Sequence, residues 1–227
     1  MGPLTRHNAA VAELAAVLWD MDGTLVDTEP YWFECEFELV DEFDGTWGPD
    51  DARSIIGFDL IDGAIELRDR GGVRLEPEQI VQRLLDGVIE RVAARLPWMP
   101  GAAELLAECK AEGIPCALVT MSWRRLANAA IESSPAGSFS ASVAGDEVAR
   151  GKPNPEPYMA AAAALGVDPR DCVAIEDSPT GAASALAAGC ATLGVPHVVP
   201  LASAVGLTVV DSLVGVNVNG LRQLGRR

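Results

Sequence analysis

The sequence predicts an α/β fold: a parallel sheet with helices on both faces, and an all-helical segment inserted after the first strand. Three observations predict it. Short apolar runs recur along the chain and end in polar, turn-prone residues. Helical patterns alternate with these runs, which is the signature of right-handed βαβ units. One stretch near the N-terminus contains no strand-like run at all.

Ala15–Trp19 reads as a buried strand, followed by the turn-prone Asp22-Gly23-Thr24. Cys116–Val119 repeats the pattern ahead of Thr120, Ala141–Ala144 is a third strand, and Cys172–Ile175 a fourth, ending in Glu176-Asp177. Ala191–Val195 and Thr208–Val210 complete the set. Between them, helical spacing covers Ala102–Glu112, Arg124–Glu132, Pro157–Leu165 and Gly181–Ala188, with Gly113, Gly166 and Gly189 as helix ends. From about Thr28 to Pro97 the rhythm breaks. That stretch gathers Tyr31, Trp32, Phe33, Phe37 and Phe43 and shows helical spacing over Ile61–Leu67 and Ile80–Arg95. The expected organisation is a core of residues 1–27 and 98–227 with a helical insert, 28–97.

Composition narrows the function. Apolar residues make up 49% of the 227, ample for a buried core and against disorder. Acidic residues outnumber basic ones 33 to 17, a net charge of −16. Such a chain repels nucleic-acid phosphates and anionic lipid, so neither nucleic acid nor membrane is the expected partner. The five cysteines are scattered with no CxxC, as expected of free thiols in a reducing compartment. No apolar run reaches the ~20 residues that span a bilayer. In Ala9–Trp19, Glu13 interrupts what would otherwise pass for a signal-peptide core. A cytoplasmic location is expected.

In an open α/β sheet, ligands bind beyond the carboxyl ends of the strands. Those ends carry Asp20 and Asp22, then Thr120 and Ser122, then Asp146 near Lys152, then Glu176 and Asp177. Asp20 and Asp22, two apart, point to one side of an extended backbone. With Glu176 and Asp177 they place up to four carboxylates in one crevice, a concentration of like charge that calls for a cation. A hard divalent ion with oxygen ligands, most simply Mg²⁺, answers it. Lys152 and the Thr120 hydroxyl are then suited to an anion bridging to the metal. Lys152 is one of only two lysines, against 15 arginines.

These residues resemble the haloacid dehalogenase-like superfamily. Asp20-Met21-Asp22-Gly23-Thr24-Leu25-Val26-Asp27 matches its first motif and Leu118-Val119-Thr120 its second. Lys152 in Gly151-Lys152-Pro153-Asn154-Pro155 matches the third, and Glu176-Asp177-Ser178 the fourth. The motifs stand in family order, each at or just past an expected strand end. The resemblance implies a Rossmann-like core, and the insert looks like the helical cap shared by phosphoglycolate phosphatases, sugar-phosphate phosphatases and β-phosphoglucomutases. It implies that Asp20 attacks phosphorus, that Asp22 is the general acid and base, and that Lys152 neutralises charge. Thr120 and the backbone amides of Met121 and Ser122 would hold the phosphoryl oxygens. The Asp20 carboxylate, the Asp22 carbonyl and Asp177 would ligate Mg²⁺, with Glu176 close by. The expected substrate is a small phosphorylated metabolite, a sugar phosphate or one like phosphoglycolate, and the expected assembly a monomer or small homo-oligomer.

The same motifs leave rivals. A phosphosugar mutase needs basic groups in the cap for a second phosphate. The β-phosphoglucomutase branch has an arginine and a histidine where this chain has Leu60 and Trp32. A phosphonate hydrolase needs a cap lysine, and residues 28–97 hold none. A dehalogenase lacks an acid at the position of Asp22. A non-catalytic binding protein on this fold usually loses the nucleophile. A P-loop nucleotidase is excluded, because Pro153 stands where Ser or Thr is required. Of the insert's aromatics, Tyr31 or Trp32 is expected to face the substrate. Ser122 is expected to act through its backbone alone.

Overall fold

The computed structural model describes residues 14–56 and 58–225. Its strands are β1 (Ala16–Trp19), β2 (Cys116–Val119), β3 (Ala141–Val143), β4 (Cys172–Glu176), β5 (Ala191–Gly194) and β6 (Leu207–Val209). They form one sheet in the order β3-β2-β1-β4-β5-β6, every neighbouring pair parallel. The chain builds outward from β1 to β2 and β3, then crosses to β4 on the other side. The order therefore reverses beside β1, and that switch point opens a crevice at the strand ends. Trp19 pairs with Leu118 on one side and Ile175 on the other, so the residues following these strands emerge level with one another.

Four helices intervene between β1 and the rest: α1 (Glu29–Asp41), α2 (Pro49–Ser54), α3 (Leu60–Asp69) and α4 (Pro77–Ala94). They are followed by α5 (Ala102–Ala111), α6 (Arg124–Ser133), α7 (Glu156–Leu165), α8 (Pro179–Ala188) and α9 (Val218–Leu224). Strand alternation sorts the core into two layers. Val17, Trp19, Cys116, Leu118, Val173 and Ile175 share a cluster with the inward faces of α5, α6 and α9. Ala16, Leu18, Ala117, Val119, Cys172 and Ala174 face α7 and α8, which answer with Tyr158, Ala161, Ala162 and Ala185. Alanine against alanine lets these two helices lie close to the sheet at interior packing density.

The helical insert is fastened to the sheet layer. Its core is continuous with that of the sheet through α4, which lies against α6. Arg125 on α6 donates to Gln82 Oε1 at 2.6 Å and Asp86 Oδ1 at 2.5 Å. The chain enters and leaves the insert side by side. Asp27 N–H donates to Pro97 O at 2.8 Å and Met99 N–H to Leu25 O at 2.9 Å, around an antiparallel bridge between Val26 and Trp98. Three helices received no range of their own from the sequence: α1, whose aromatics were noted without a helical span, and α2 and α9, both too short for their spacing to stand out.

Helix α8 starts on Ser178, whose hydroxyl accepts from Gly181 N–H at 3.1 Å. A Cβ on Gly181 would lie 1.9 Å from Glu176 Oε1, so the first turn of α8 closes over the end of β4 only because residue 181 lacks a side chain. Gly181→Ala is expected to destabilise the fold by about 1–3 kcal/mol through overpacking. Chemical denaturation beside the wild type measures this, and an unchanged midpoint would show that Glu176 moves aside freely.

Candidate active site

The strand ends and two loops meet at a cleft of about 760 Å³ between the sheet and the helical insert. Asp20, Asp22, Thr120, Met121, Ser122, Lys152 and Asp177 all line it, so the sequence-predicted residues converge. Glu176 alone stands back, fully buried beneath the floor. Main-chain bonds set the positions. Asp20 N–H donates to Ile175 O at 3.0 Å and Thr120 N–H to Val143 O at 3.0 Å, which fixes the residues after β1 and β2 against their neighbours. Gly145 lets the loop after β3 approach, since a Cβ there would lie 2.1 Å from Met121 O.

Lys152 is the hub. Its Nζ donates to Asp20 Oδ1 at 2.5 Å, Glu176 Oε1 at 2.7 Å and Val119 O at 2.9 Å, and its side chain is 5% exposed. Burial works against its charge, yet Asp20 and Glu176 together hold its pKa above the ordinary lysine value. Glu176 Oε1 also accepts from the buried Tyr158 hydroxyl at 2.7 Å, and its Oε2 from the Ser178 hydroxyl at 3.2 Å. Burial, then Glu176, push the Tyr158 phenol well above its usual range, so it stays a donor.

Asp20 Oδ2 is buried without a hydrogen-bond partner. Carboxylate oxygens of Asp20, Glu176 and Asp177 lie within 4.8 Å of one another. Burial and Glu176 raise the Asp20 pKa well above the carboxylate range, and the same two causes lift Asp177 to about 7. A buried, unpartnered oxygen among like charges is the environment a hard divalent cation completes. The donors are all oxygen, which suits such an ion. Gly23 makes the approach possible: its φ is +84°, and a Cβ there would lie 2.4 Å from Asp177 Oδ2.

The Asp22 carboxylate is ringed by hydroxyls. Thr28 Oγ1 donates to Oδ1 at 2.5 Å, while Ser122 Oγ and Thr120 Oγ1 donate to Oδ2 at 2.8 and 3.2 Å. Ser122 thus contributes its side chain, where a backbone role alone was expected. Its amide donates to Thr120 Oγ1 at 2.9 Å. Met121 places its sulfur under the Lys152 N–H at 3.3 Å. Arg124 and Asp146 serve the loops: Asp146 Oδ1 accepts from Arg124 N–H at 2.8 Å, and the guanidinium turns to Glu147.

The wall facing these groups is one side of α1. Glu29, Trp32, Phe33 and Glu36 line the cleft at helical i, i+3, i+4, i+7 spacing. Trp32 was expected there. Tyr31 instead donates to Arg95 O at 3.0 Å. Phe33 and the two glutamates were not anticipated, although the spacing alone, with acids at both ends of an aromatic face, was a usable signal. Glu36 is buried, and its Oε2 accepts from Trp47 Nε1 at 2.9 Å. Burial raises both glutamates to about 7, for Glu29 with the added repulsion of Asp22, Asp27 and Asp177.

That elevation has a sign. A carboxyl whose folded pKa exceeds its unfolded value contributes stability that is full at low pH and lost as pH rises through the folded value. For Glu36 the window runs from 4.5 to about 7. Wild-type thermal stability should therefore fall across that window, and Glu36→Gln should fall less, since glutamine keeps the bond to Trp47 and never ionises. Parallel pH profiles of the melting temperature would decide against this pKa if the two fell equally.

Residues 14–189 match the haloacid dehalogenase-like hydrolase family. Hexitol phosphatase B of Escherichia coli is 29% identical over 201 residues, 81% of this chain and 84% of that protein. The β-phosphoglucomutase of Bacillus subtilis is 29% identical over 205 residues, 84% of this chain and 87% of that protein. Among solved structures, CbbY of Rhodobacter sphaeroides in complex with phosphate superposes with a TM-score of 0.79 at 28% identity, covering 91% of this chain and 98% of that one. With the four motif regions gathered at one cleft and the family match spanning most of the molecule, the chain belongs to the haloacid dehalogenase-like hydrolases.

Proposed function

We propose that this protein is a Mg²⁺-dependent phosphatase that hydrolyses a small phosphorylated sugar or related metabolite through an aspartyl-phosphate on Asp20. Residues 28–97 act as a cap over a core formed, within the described residues, by 14–27 and 98–225; the expected core's residues 1–13, 226 and 227 lie outside them. The observation that carries the reading is Asp20 itself: it lines the cleft, with one oxygen held by Lys152 and the other buried and unpartnered. The similarity to hexitol phosphatase B supports the substrate class.

In the first half-reaction a carboxylate oxygen of Asp20 bonds to phosphorus and the bond from phosphorus to the leaving oxygen breaks. Asp22 donates its proton to that oxygen, leaving as carboxylate. In the second half, Asp22 takes a proton from water, the water oxygen bonds to phosphorus, and the Asp20–phosphorus bond breaks. Lys152 stays charged throughout, since its partners hold its proton, and so offsets negative charge on Asp20 and the phosphoryl group. The Thr120 hydroxyl and the Met121 and Ser122 amides are the donors for phosphoryl oxygens. At present the Thr120 hydroxyl donates to Asp22 Oδ2 and the Ser122 amide to Thr120 Oγ1, bonds that a phosphoryl oxygen would replace.

Asp20, Asp177 and the Asp22 carbonyl are the residues suited to hold Mg²⁺. When bound, the ion supplies positive charge for the phosphoryl oxygens and for the clustered carboxylates. Glu176 has both oxygens committed to Lys152, Tyr158 and Ser178, so it acts chiefly by positioning the lysine. Leu60 and Trp32, the positions where a mutase would carry basic groups, both line the cleft, and neither is charged. Hydrolysis is favoured over transfer to a second phosphate site.

Two measurements test this. Phosphate release from sugar phosphates should be lost in Asp20→Asn while the protein stays folded, and slowed about 10²–10⁴-fold in Asp22→Asn for the missing proton transfer. An Asp22→Asn single-turnover rate within a few-fold of wild type would remove it from the mechanism. Activity should also vanish in excess chelator and return with Mg²⁺. Full activity in chelator would sink the metal assignment.

A further inference from the structure

The phosphate end of the cleft is described above, and the opposite wall has a different chemistry. Trp32 and Phe33 stand between Glu29 and Glu36 on the face of α1 turned to the cleft. Glu36 is 5% exposed, and among the described residues only its Oε2 has a hydrogen-bond partner, the Trp47 indole. Its other oxygen is left for whatever enters. Basic groups are missing from this wall. Residues 28–97 hold seven arginines and no lysine, and none of the seven lines the cleft. Six are committed elsewhere: Arg53 to Asp50, Arg68 to Asp69, Arg70 to Asp51 and Glu66, Arg74 to the Phe43 ring, Arg83 to Glu42, and Arg91 to Glu34 and Glu38. Lys152 is spent at the phosphate end, and His197 sits at that same end beside Gly23.

We infer that Glu29 and Glu36 make this wall a charge filter, so that the enzyme selects phosphomonoesters whose leaving group is uncharged and rich in hydroxyls and rejects those bearing a second anion. This deepens the phosphatase reading and rests on it. A hydroxyl donates readily to either glutamate, and Trp32 offers a flat apolar face to the carbon skeleton of a sugar or polyol. A carboxylate or second phosphate at the far end of the substrate meets apolar surface and two glutamates with no cation between them, in a partly desolvated site where like charge is costly. The filter separates esters that the phosphate-binding end cannot tell apart.

The test compares two substrates on one six-carbon chain: glucitol 6-phosphate, with a hydroxyl at the far end, and 6-phosphogluconate, with a carboxylate there. Glucose 1,6-bisphosphate adds a second phosphate. In the wild type, assayed at a pH above the value of about 7 to which burial lifts both glutamates, kcat/KM for glucitol 6-phosphate should exceed that for either anionic ester by about 10-fold or more, the effect of one like-charge contact of this kind. In the double variant Glu29→Gln, Glu36→Gln, that ratio should shrink several-fold. Glutamine keeps the acceptor for Trp47, and a thermal melt confirms folding. Glu34→Gln, on the exposed side of α1 beside Arg91, should leave the ratio where it is. Turnover with the anionic esters preferred, or a ratio unmoved in the double variant, would overturn the filter and leave the phosphatase standing. Absence of phosphate release from all three esters and from p-nitrophenyl phosphate would bring down both.

Discussion

The ammonium of Lys152 is the constraint on which the rest of the site depends. It is reached by one oxygen from the residue after β1, one from the end of β4, and the last carbonyl of β2. Three neighbouring strands are thereby tied at their carboxyl ends by one charge, in a place too buried for water to substitute. A charge so placed is tolerable only because three acceptors close on it. Remove the lysine and Asp20 Oδ1 loses its donor, while Glu176 keeps only its bonds from Tyr158 and Ser178. Tyr158 and Ser178 complete the shell around Glu176, so the second carboxylate is held still and cannot compete for what Asp20 faces.

An acidic protein that binds phosphate must concentrate its few cations, and this chain does so by position rather than number. The net charge of −16 is spread over an exterior where arginines pair locally with glutamates and aspartates. One lysine is placed inside, where a compact ammonium meets three acceptors at once. The α1 wall carries the opposite choice, two carboxyls facing the cleft with no cation between them. The cleft is therefore polarised along its length, with counter-charge at the floor and acid on the far wall.

The sheet was legible because buried parallel strands are short apolar runs, and each run here ends where its polar turn begins. The floor of the site was legible for the same reason: Asp20, Thr120, Glu176 and Asp177 are the first polar residues after those runs. The far wall was not. Glu36 breaks the rule that a helix turns its apolar face inward, and the one local sign of it, its i+4 and i+3 spacing from Trp32 and Phe33, is a pattern that solvated acids share. The hydroxyl of Ser122 was equally hidden, because its partner Asp22 lies 100 positions away and only the sheet brings them together. Helices α2 and α9 went unread for want of length.

The paired crossing at Val26 and Trp98 has a consequence for how such a molecule can be altered. Because the chain leaves the sheet layer and re-enters it through two adjacent backbones, both covalent connections of the insert lie at one place. A change of length between those two residues need not shift the register of β1 against β2 and β4, provided the insert keeps a face for α6 as α4 does. The floor of the cleft and its far wall thus come from separate stretches of the chain. One scaffold can keep its reaction chemistry fixed while the module above it diversifies from one metabolite to another.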